Sequence, residues 1–472
     1  MSCRRASLAI AIAIATRSGA GAARLDAQQA TAYLPLRFDE QWTGRERRDV
    51  TDALKDIPLG PGGVLRLNVG GQLRARREGF RNFLAGIDAS RGTTDDGVTL
   101  LRALLHADLT AGRVARAFVE ARHATASANG LPAFRRPFDR DALDLQNAFL
   151  ELRTPWEGAT RLAVRAGRQE LSLGSERIIS TLDWANARRG WDGVTARAAR
   201  GDLQLTAFRV RPVSIGAATG NATMDFDLLQ GAFLTIGAAG EARRYEAHAI
   251  RYEQVIAPGA PARSAAHTFW HVGSRVVQPL PLRAILEVEG ALQRGRIDGS
   301  YPHRAWFVAS ELTAPLPALP WSQRLTAGFD IASGDTLAGD GVRGTYRQLF
   351  PAVHTYHGYG DLLGRGNLID ARLVWRASPS RAVELRAAAH HFLRAQATDG
   401  VFGINAEVLV PRGVLGRQRH LGDELDLTAA WRVGRHLRVD GGIAWFRPGA
   451  APRAAGVTRD VAWAFSSVAV TF

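Results

Sequence analysis

From Val64 onward the chain alternates apolar and polar residues with a period of two, stretch after stretch, and few folds accommodate that. In LRLNVGGQLRAR the residues Leu65, Leu67, Val69, Leu73 and Ala75 are apolar, while Arg66, Asn68, Gln72, Arg74 and Arg76 are polar. Successive side chains of a strand point to opposite faces, so this segment has one oily side and one strongly basic side. LRALLHADL sets Arg102, His106 and Asp108 against Leu101, Ala103, Leu105 and Ala107. RVARAFVEAR does the same with Arg116, Glu120 and Arg122. The pattern returns at Asp370, Arg372 and Arg376, at Glu384, Arg386 and His390, at Glu424 and Asp426, and at Arg438 and Asp440.

A β-sandwich also alternates, so the connections decide. About eighteen candidate strands of roughly 9 to 14 residues are readable, long enough to cross an outer membrane with tilt. Short connections (Thr110 to Gly112, Arg200 to Asp202, Gly237 to Glu241, Gln278 to Pro281, Ser378 to Ser380, Gly434 to His436) alternate with long ones. The long ones are Arg77 to Val98, Ala124 to Ala142, Leu171 to Arg189, Ser333 to Gly366 and Ala395 to His420. Tight turns at one end and long loops at the other are the layout of an outer-membrane barrel. The expected fold is therefore all-β: a closed transmembrane antiparallel barrel with short periplasmic turns, long extracellular loops, a polar lumen and a lipid-facing exterior.

The N-terminus, MSCRRASLAIAIAIATRSGAGAARLDAQQ, reads as a signal peptide over residues 1–23: two arginines, a short apolar run, then small residues. Residues 24–63 are expected as a periplasmic N-terminal segment and 64–472 as the barrel. The only cysteine, Cys3, leaves with the signal, so no disulfide or thiolate metal site is expected. No apolar run reaches the roughly 18 residues of a membrane helix. The closing VAWAFSSVAVTF resembles the signal by which outer-membrane proteins are recognised, so the assembly machinery is an expected partner through the strand ending at Phe472, as is outer-membrane lipid.

The formal net charge is +15, and lysine occurs once, at Lys55, so arginine carries the basic charge. Guanidinium groups hold carboxylates and phosphates in a bidentate fork, which fits an anion-handling surface. None of the patterns of the usual DNA- or RNA-binding modules is present, so no nucleic-acid partner is expected.

Three stretches resemble the alginate-export family of outer-membrane proteins. They are LRFDEQW…DALKDIPL…LRLNVGGQLRARRE, GRQELSLGSERIISTLDWANARRGWDGV, and FDIASGD…YRQLFPAVHTYHGYGDLLGRGNLID, with GDELDL and WFRPG as shorter matches. The resemblance implies an eighteen-stranded barrel with periplasmic termini and an arginine-rich constriction that passes a polyuronate. It also favours Arg168 and Asp183 as constriction residues, and it marks Lys55 as an ammonium at the periplasmic mouth. By alternation Arg66, Arg74, Arg76, Arg102, Arg116, Arg122, Arg165, Arg197 and Arg372 face the lumen. Arg168 shares parity with Leu162, Val164 and Ala166, so it points inward only if Gly167 marks a bulge. The expected substrate is an anionic solute or polyuronate, passed by weak repeated sites. The alternative is a general porin for small solutes, because Glu120, Asp370, Glu384, Glu424, Asp426 and Asp440 have inward parity too. A tight Gly434–His436 turn leaves no long C-terminal loop to plug the pore.

Two stretches invite a chemical reading. His354 and His357 in HTYH lie in an irregular loop without a third ligand or a helix to set the pair, which is poor zinc spacing. They are read as packing first and constriction second, with no metal and no cofactor. Asp183 with Glu176 or Glu170 could pair as acid and base, but no nucleophile–histidine arrangement accompanies them. An ion-pair network holding a folded loop is the plainer reading, so no catalytic residue and no enzyme activity is expected.

Overall fold

The structure, a computed structural model, describes residues 33–83, 95–127, 137–154, 160–216, 220–237, 243–255, 266–337 and 339–472. The expected signal peptide, residues 1–23, lies outside the described residues. Eighteen antiparallel strands form one closed barrel. They are β1 Leu65–Arg81, β2 Asp96–Ala111, β3 Ala115–Ala126, β4 Asp141–Arg153, β5 Arg161–Gln169, β6 Trp191–Arg200, β7 Leu203–Pro212, β8 Asp227–Ile236 and β9 Arg244–Gln254. The second half comprises β10 His267–Pro279, β11 Ile285–Ile297, β12 Tyr301–Pro315, β13 Arg324–Ala332, β14 Leu368–Ala377, β15 Val383–Arg394, β16 His420–Val433, β17 Leu437–Pro448 and β18 Val461–Thr471. Each strand pairs with the next, and β18 returns to β1 in register Gln72↔Thr471 through Arg81↔Ala462. Closure is what the bilayer demands, since an open edge would leave backbone N–H and C=O groups unpaired in hydrocarbon. The strand number and the sorting of loops follow the sequence expectation, with one exception: β11 and β12 join at the long-loop end through only Asp298, Gly299 and Ser300.

The outer face carries the apolar half of the alternation. Leu73, Leu101, Leu105, Leu150, Leu152, Leu292 and Leu373 are all exposed there. Exposed Trp270, Trp306 and Trp445 stand toward the long-loop end, and Trp321 and Trp431 toward the short-turn end. Two aromatic belts flanking an apolar band are the signature of a lipid-facing surface.

The interior is largely filled. Inward Phe208, Val210, Leu229, Phe233, Ile250, Phe269 and Phe307 pack with Leu171, Leu173, Ile178 and Ile179 from the β5–β6 connection and with Tyr346 from the β13–β14 connection. Both connections fold back into the barrel. From the short-turn end the N-terminal segment enters as well, and from Tyr33 on it belongs to the same compact unit as the barrel. Phe38 sets its edge against inward Phe118 and Phe149 at 5.7 and 5.4 Å. Residues Ile57–Leu59 add a short strand to β1. Arg435, in the turn after β16, bridges Asp49 at 2.9 Å and Asp52 at 2.6 Å. Arg435 holds the Asp52 carboxyl below its ordinary range, and Thr51 and His436 do so for Asp49. The tight Gly434–His436 turn thus carries no plug itself but anchors a segment that occupies the mouth.

Arg37 ties this segment to the barrel seam, donating to the Gly71 carbonyl at 3.2 Å and the Phe472 carbonyl at 2.9 Å. Hydrogen bonds from a charged donor contribute about 1.5–3 kcal/mol. Arg37→Ala is therefore expected to lower the temperature at which the folded band disappears in heat-modifiability electrophoresis, and an unchanged transition would contradict the seam's dependence on this residue.

Candidate functional site in the barrel lumen

Four inward arginines of β1, β2 and β3, Arg74, Arg76, Arg102 and Arg122, are buried and hold the main chain of the infolded β5–β6 connection. Arg74 donates to the carbonyls of Asp183 (3.0 Å), Trp184 (3.2 Å) and Ala185 (2.9 Å). Arg76 donates to the Trp184 carbonyl at 2.5 Å, and its guanidinium lies 3.9 Å over the Trp184 ring. Arg102 reaches the Asp183 carbonyl and carboxylate, both at 3.0 Å, and Gln72 at 2.6 Å. Arg122 binds Gln146, Asp141 and, at 2.9 Å, the Arg188 carbonyl. A planar fork with five donors satisfies several carbonyls at once, which an ammonium cannot do. The Asp183 side chain, held by Arg102 and 3.4 Å from Arg188, remains half-exposed.

Other expected site residues have different surroundings. Arg116 pairs with Asp108 at 2.6 Å and donates to the Phe38 carbonyl. Arg165 pairs with Glu151 at 2.6 Å between the rings of Phe38 and Phe149. Arg66, paired to Asp56 at 2.9 Å, and Arg197, 3.9 Å from Asp39, are about one-third exposed at the short-turn end. Arg372 joins Glu311 (2.6 Å), Asp330 and Asp370 (both 3.2 Å).

Two expectations need correction. Gly167 does not shift the alternation: Glu151↔Arg165 through Ala148↔Arg168 run in unbroken register. Arg168 therefore stands on the opposite face from Arg165, paired with Asp192 at 2.9 Å and bonded to the Asn221 carbonyl. Lys55 is not a free ammonium at the mouth. It is buried, donates to the Val69 carbonyl at 2.6 Å and lies 5.0 Å over the Trp42 ring. Burial pushes its pKa down to about 8.

The β13–β14 connection, containing the two histidines, is fixed by the opposite chemistry. The Gly360 amide donates to Glu424 at 2.8 Å and the Tyr359 amide to Asp426 at 3.3 Å, both carboxylates being on β16. His354 stacks on Trp184 at 4.1 Å and contacts Asp361 at 3.0 Å, whereas His357 contacts Asp370 at 3.3 Å. The two rings serve different partners, as packing residues do. Across the lumen, Arg177 of the β5–β6 connection reaches Glu287 (2.5 Å), Glu289 (3.3 Å) and Glu311 (3.0 Å). Arg275 joins the same acidic wall through Glu246 and Glu287, each at 2.9 Å.

One group of inward cations stands apart. Arg324, Arg376 and Arg386 lie side by side on β13, β14 and β15, in registers Arg324↔Arg376 and Arg376↔Arg386. Arg386 is 3.5 Å from Asp426 and 5.0 Å over the Tyr359 ring. Among the described residues, Arg324 and Arg376 form no ion pair. Like charges directly opposite across strands repel, so this row concentrates positive charge on one stretch of the wall. Parity had put Arg376 and Arg386 inward, but only the register aligns the three. At the long-loop end a cavity of 660 Å³ is lined by Tyr301, Arg343, Tyr346, Arg347, Asp399 and Arg412, among others, with the Arg343 guanidinium 3.9 Å over Tyr301.

Comparison with known proteins fits this geometry. The model of the alginate-export family matches residues 65–465. No curated protein matches the chain. Among solved structures, Pseudomonas aeruginosa OpdQ is similar with a TM-score of 0.55 at 12% identity, covering 86% of this chain and 98% of that one. Pseudomonas aeruginosa OccD3 (OpdP) gives 0.54 at 12%, covering 85% and 91%. Pseudomonas aeruginosa OccK2 (OpdF) in complex with glucuronate gives 0.50 at 14%, covering 86% and 96%. At these identities the likeness shows the fold alone.

Two outcomes follow from the lumen contacts. Arg74→Ala, Arg76→Ala and Arg102→Ala together remove the bonds that hold Asp183, Trp184 and Ala185 and loosen the β5–β6 connection, so single-channel conductance is expected to rise about two-fold or more. An unchanged conductance in a folded variant would contradict the clamp. Lys55 is the only lysine, so reductive methylation with carbon-13 marks it alone apart from the N-terminal amine. Its resonance is expected to titrate near pH 8 rather than at the ordinary 10.5. The lowered value means that docking of the N-terminal segment gains as pH rises from about 8 toward 10.5. Titration at the ordinary value would contradict the burial.

Proposed function

The chain belongs to the alginate-export family of outer-membrane barrels, and on that premise we propose that it is an anion-selective outer-membrane channel for uronate-type carboxylates, extending to an anionic polysaccharide. The observation that carries this reading is the row of Arg324, Arg376 and Arg386 at the short-turn end of the lumen. Asp426, 3.5 Å from Arg386, offsets one of the three charges; the other two guanidinium groups have no ion pair among the described residues, and a carboxylate between them would relieve their repulsion while gaining charge-assisted hydrogen bonds. At the opposite mouth the 660 Å³ cavity carries Arg343, Arg347 and Arg412, of which Arg343 pairs with Asp298 and Arg412 with Asp335, each at 3.1 Å, so Arg347 is the cation there without an ion pair among the described residues. Guanidinium groups in the lumen lower the desolvation cost of bringing a polyanion into a low-dielectric wall, and their field concentrates anions. The glucuronate bound by OccK2 shows a barrel of this fold holding the relevant chemical group in that protein. The family and the barrel support export or uptake equally, and the proposal concerns passage rather than direction.

A second reading has its own support. Glu246, Glu287, Glu289 and Glu311 form an acidic wall facing Arg177 and Arg275, while Arg74, Arg76 and Arg102 lie on β1 and β2. Opposed charged walls orient small solutes of either sign across an eyelet, as a general porin does.

The two readings separate in a planar bilayer with oligouronate added to the short-turn side. A uronate channel is expected to show concentration-dependent block, and Arg376→Gln with Arg386→Gln is expected to raise the half-blocking concentration about ten-fold. Absence of block in the unaltered protein would overturn the uronate reading and leave the small-solute porin.

A further inference from the structure

On the outer wall, away from the lumen, three side chains converge that neither transport nor lipid contact requires. His391 on β15 and Asp423 on β16 are register partners, with Nδ1 of the imidazole 2.6 Å from Oδ1 of the carboxylate. Nε2 of His420 lies 3.2 Å from the other oxygen, Oδ2. The two imidazole rings stack at 4.6 Å with 27° between their planes. One donor atom from each residue falls within 4.8 Å of the others. His420 Nε2 is buried and has no hydrogen-bond partner, so a nitrogen lone pair or N–H is left unused beside the carboxylate.

The backbone is distorted to make this arrangement. Residues three apart on a regular strand, such as His420 and Asp423, lie on opposite faces. Here the register jumps from Phe392↔Gly422 to Leu393↔His420, so Leu421 is an extra residue. Leu421 is buried in a core cluster, and the bulge turns His420 onto the outward face of Asp423. Gly422 has a φ of 158°, and a Cβ there would run into the Phe446 ring. Bulges re-aim side chains, and this one is aimed at a second imidazole and a carboxylate.

We propose that His391, His420 and Asp423 form a surface site for a borderline divalent metal ion of the zinc type. Two neutral imidazoles and one carboxylate suit Zn(II), Co(II), Ni(II) or Cu(II), whereas Ca(II) and Mg(II) prefer all-oxygen cages. With metal–ligand bonds near 2.0–2.1 Å, tetrahedral donors sit about 3.3 Å apart, so modest side-chain rotation closes the site. The remaining position is open to the medium. Its level on the barrel is set by neighbours: Leu425 pairs with exposed Trp445, and Asp423 pairs with Arg447 two residues nearer the long loops. The site thus stands just beyond the aromatic belt, at headgroup height rather than in hydrocarbon. Arg447 is the cation facing it, and among the described residues Arg447 forms no ion pair with Asp423.

The test is a Co(II) titration of the refolded full chain in detergent, read by visible absorption and repeated as Zn(II) competition. The expected result is one equivalent of Co(II) with ligand-field bands that Zn(II) abolishes. His391→Asn and Asp423→Asn are each expected to weaken binding at least ten-fold, since changing even an outer-shell partner of a metal ligand costs roughly 10–100-fold. His123→Asn, on the exposed face of β3, is expected to leave it unchanged. No ligand-field band in the unaltered protein, or equal affinity in folded His391→Asn, would overturn the proposal.

Discussion

Irregular backbone at membrane depth must find hydrogen-bond partners, and this barrel meets that constraint with charged side chains. Two long connections fold into the lumen, where their carbonyls and amides leave bulk water. Arg74, Arg76, Arg102 and Arg122 on one wall donate to carbonyls of the β5–β6 connection. Glu424 and Asp426 on another accept from amides of the β13–β14 connection. Backbone groups without such partners would each cost several kcal/mol in this setting. The basic and acidic faces are thus complementary to the two polar ends of the peptide unit.

That division reorganises the meaning of an arginine-rich interior. One set clamps backbone, a second neutralises the acidic wall through Arg177, Arg275 and Arg372, and in a third Arg324 and Arg376 form no ion pair among the described residues while Arg386 beside them lies 3.5 Å from Asp426. A charge that is hydrogen-bonded and buried is costly to disturb, so the first two sets give rigidity. The proposed anion selectivity rests on the third. The N-terminal segment completes the arrangement at the short-turn mouth, where Phe38 and Arg37 seat it against the closing seam.

Much of this was legible in the sequence, because lipid and lumen impose opposite demands on alternate residues. Parity alone placed Arg74, Arg102, Arg116 and Arg165 on the face opposite Leu73, Leu101 and Val164, and the loop lengths sorted the two ends. Partners were beyond reach, since Arg74 meets Asp183 more than a hundred positions along the chain. Arg168 was misread because a glycine is compatible with a bulge without requiring one: Gly167 keeps the register, whereas Gly422 adjoins the bulge at Leu421. Lys55 stood out by rarity, but rarity does not report burial. The row of Arg324, Arg376 and Arg386 depends on register across three strands, which turn chemistry and packing set together.

A row of lumen arginines, of which Arg324 and Arg376 form no ion pair among the described residues, underlies the proposed preference of this barrel for anions. The direct measurement is the reversal potential of the refolded mature protein in a planar bilayer under a salt gradient. A potential displaced toward the anion equilibrium value is expected, shrinking as rising salt screens the row. A potential near zero, or one displaced toward the cation value, would contradict it.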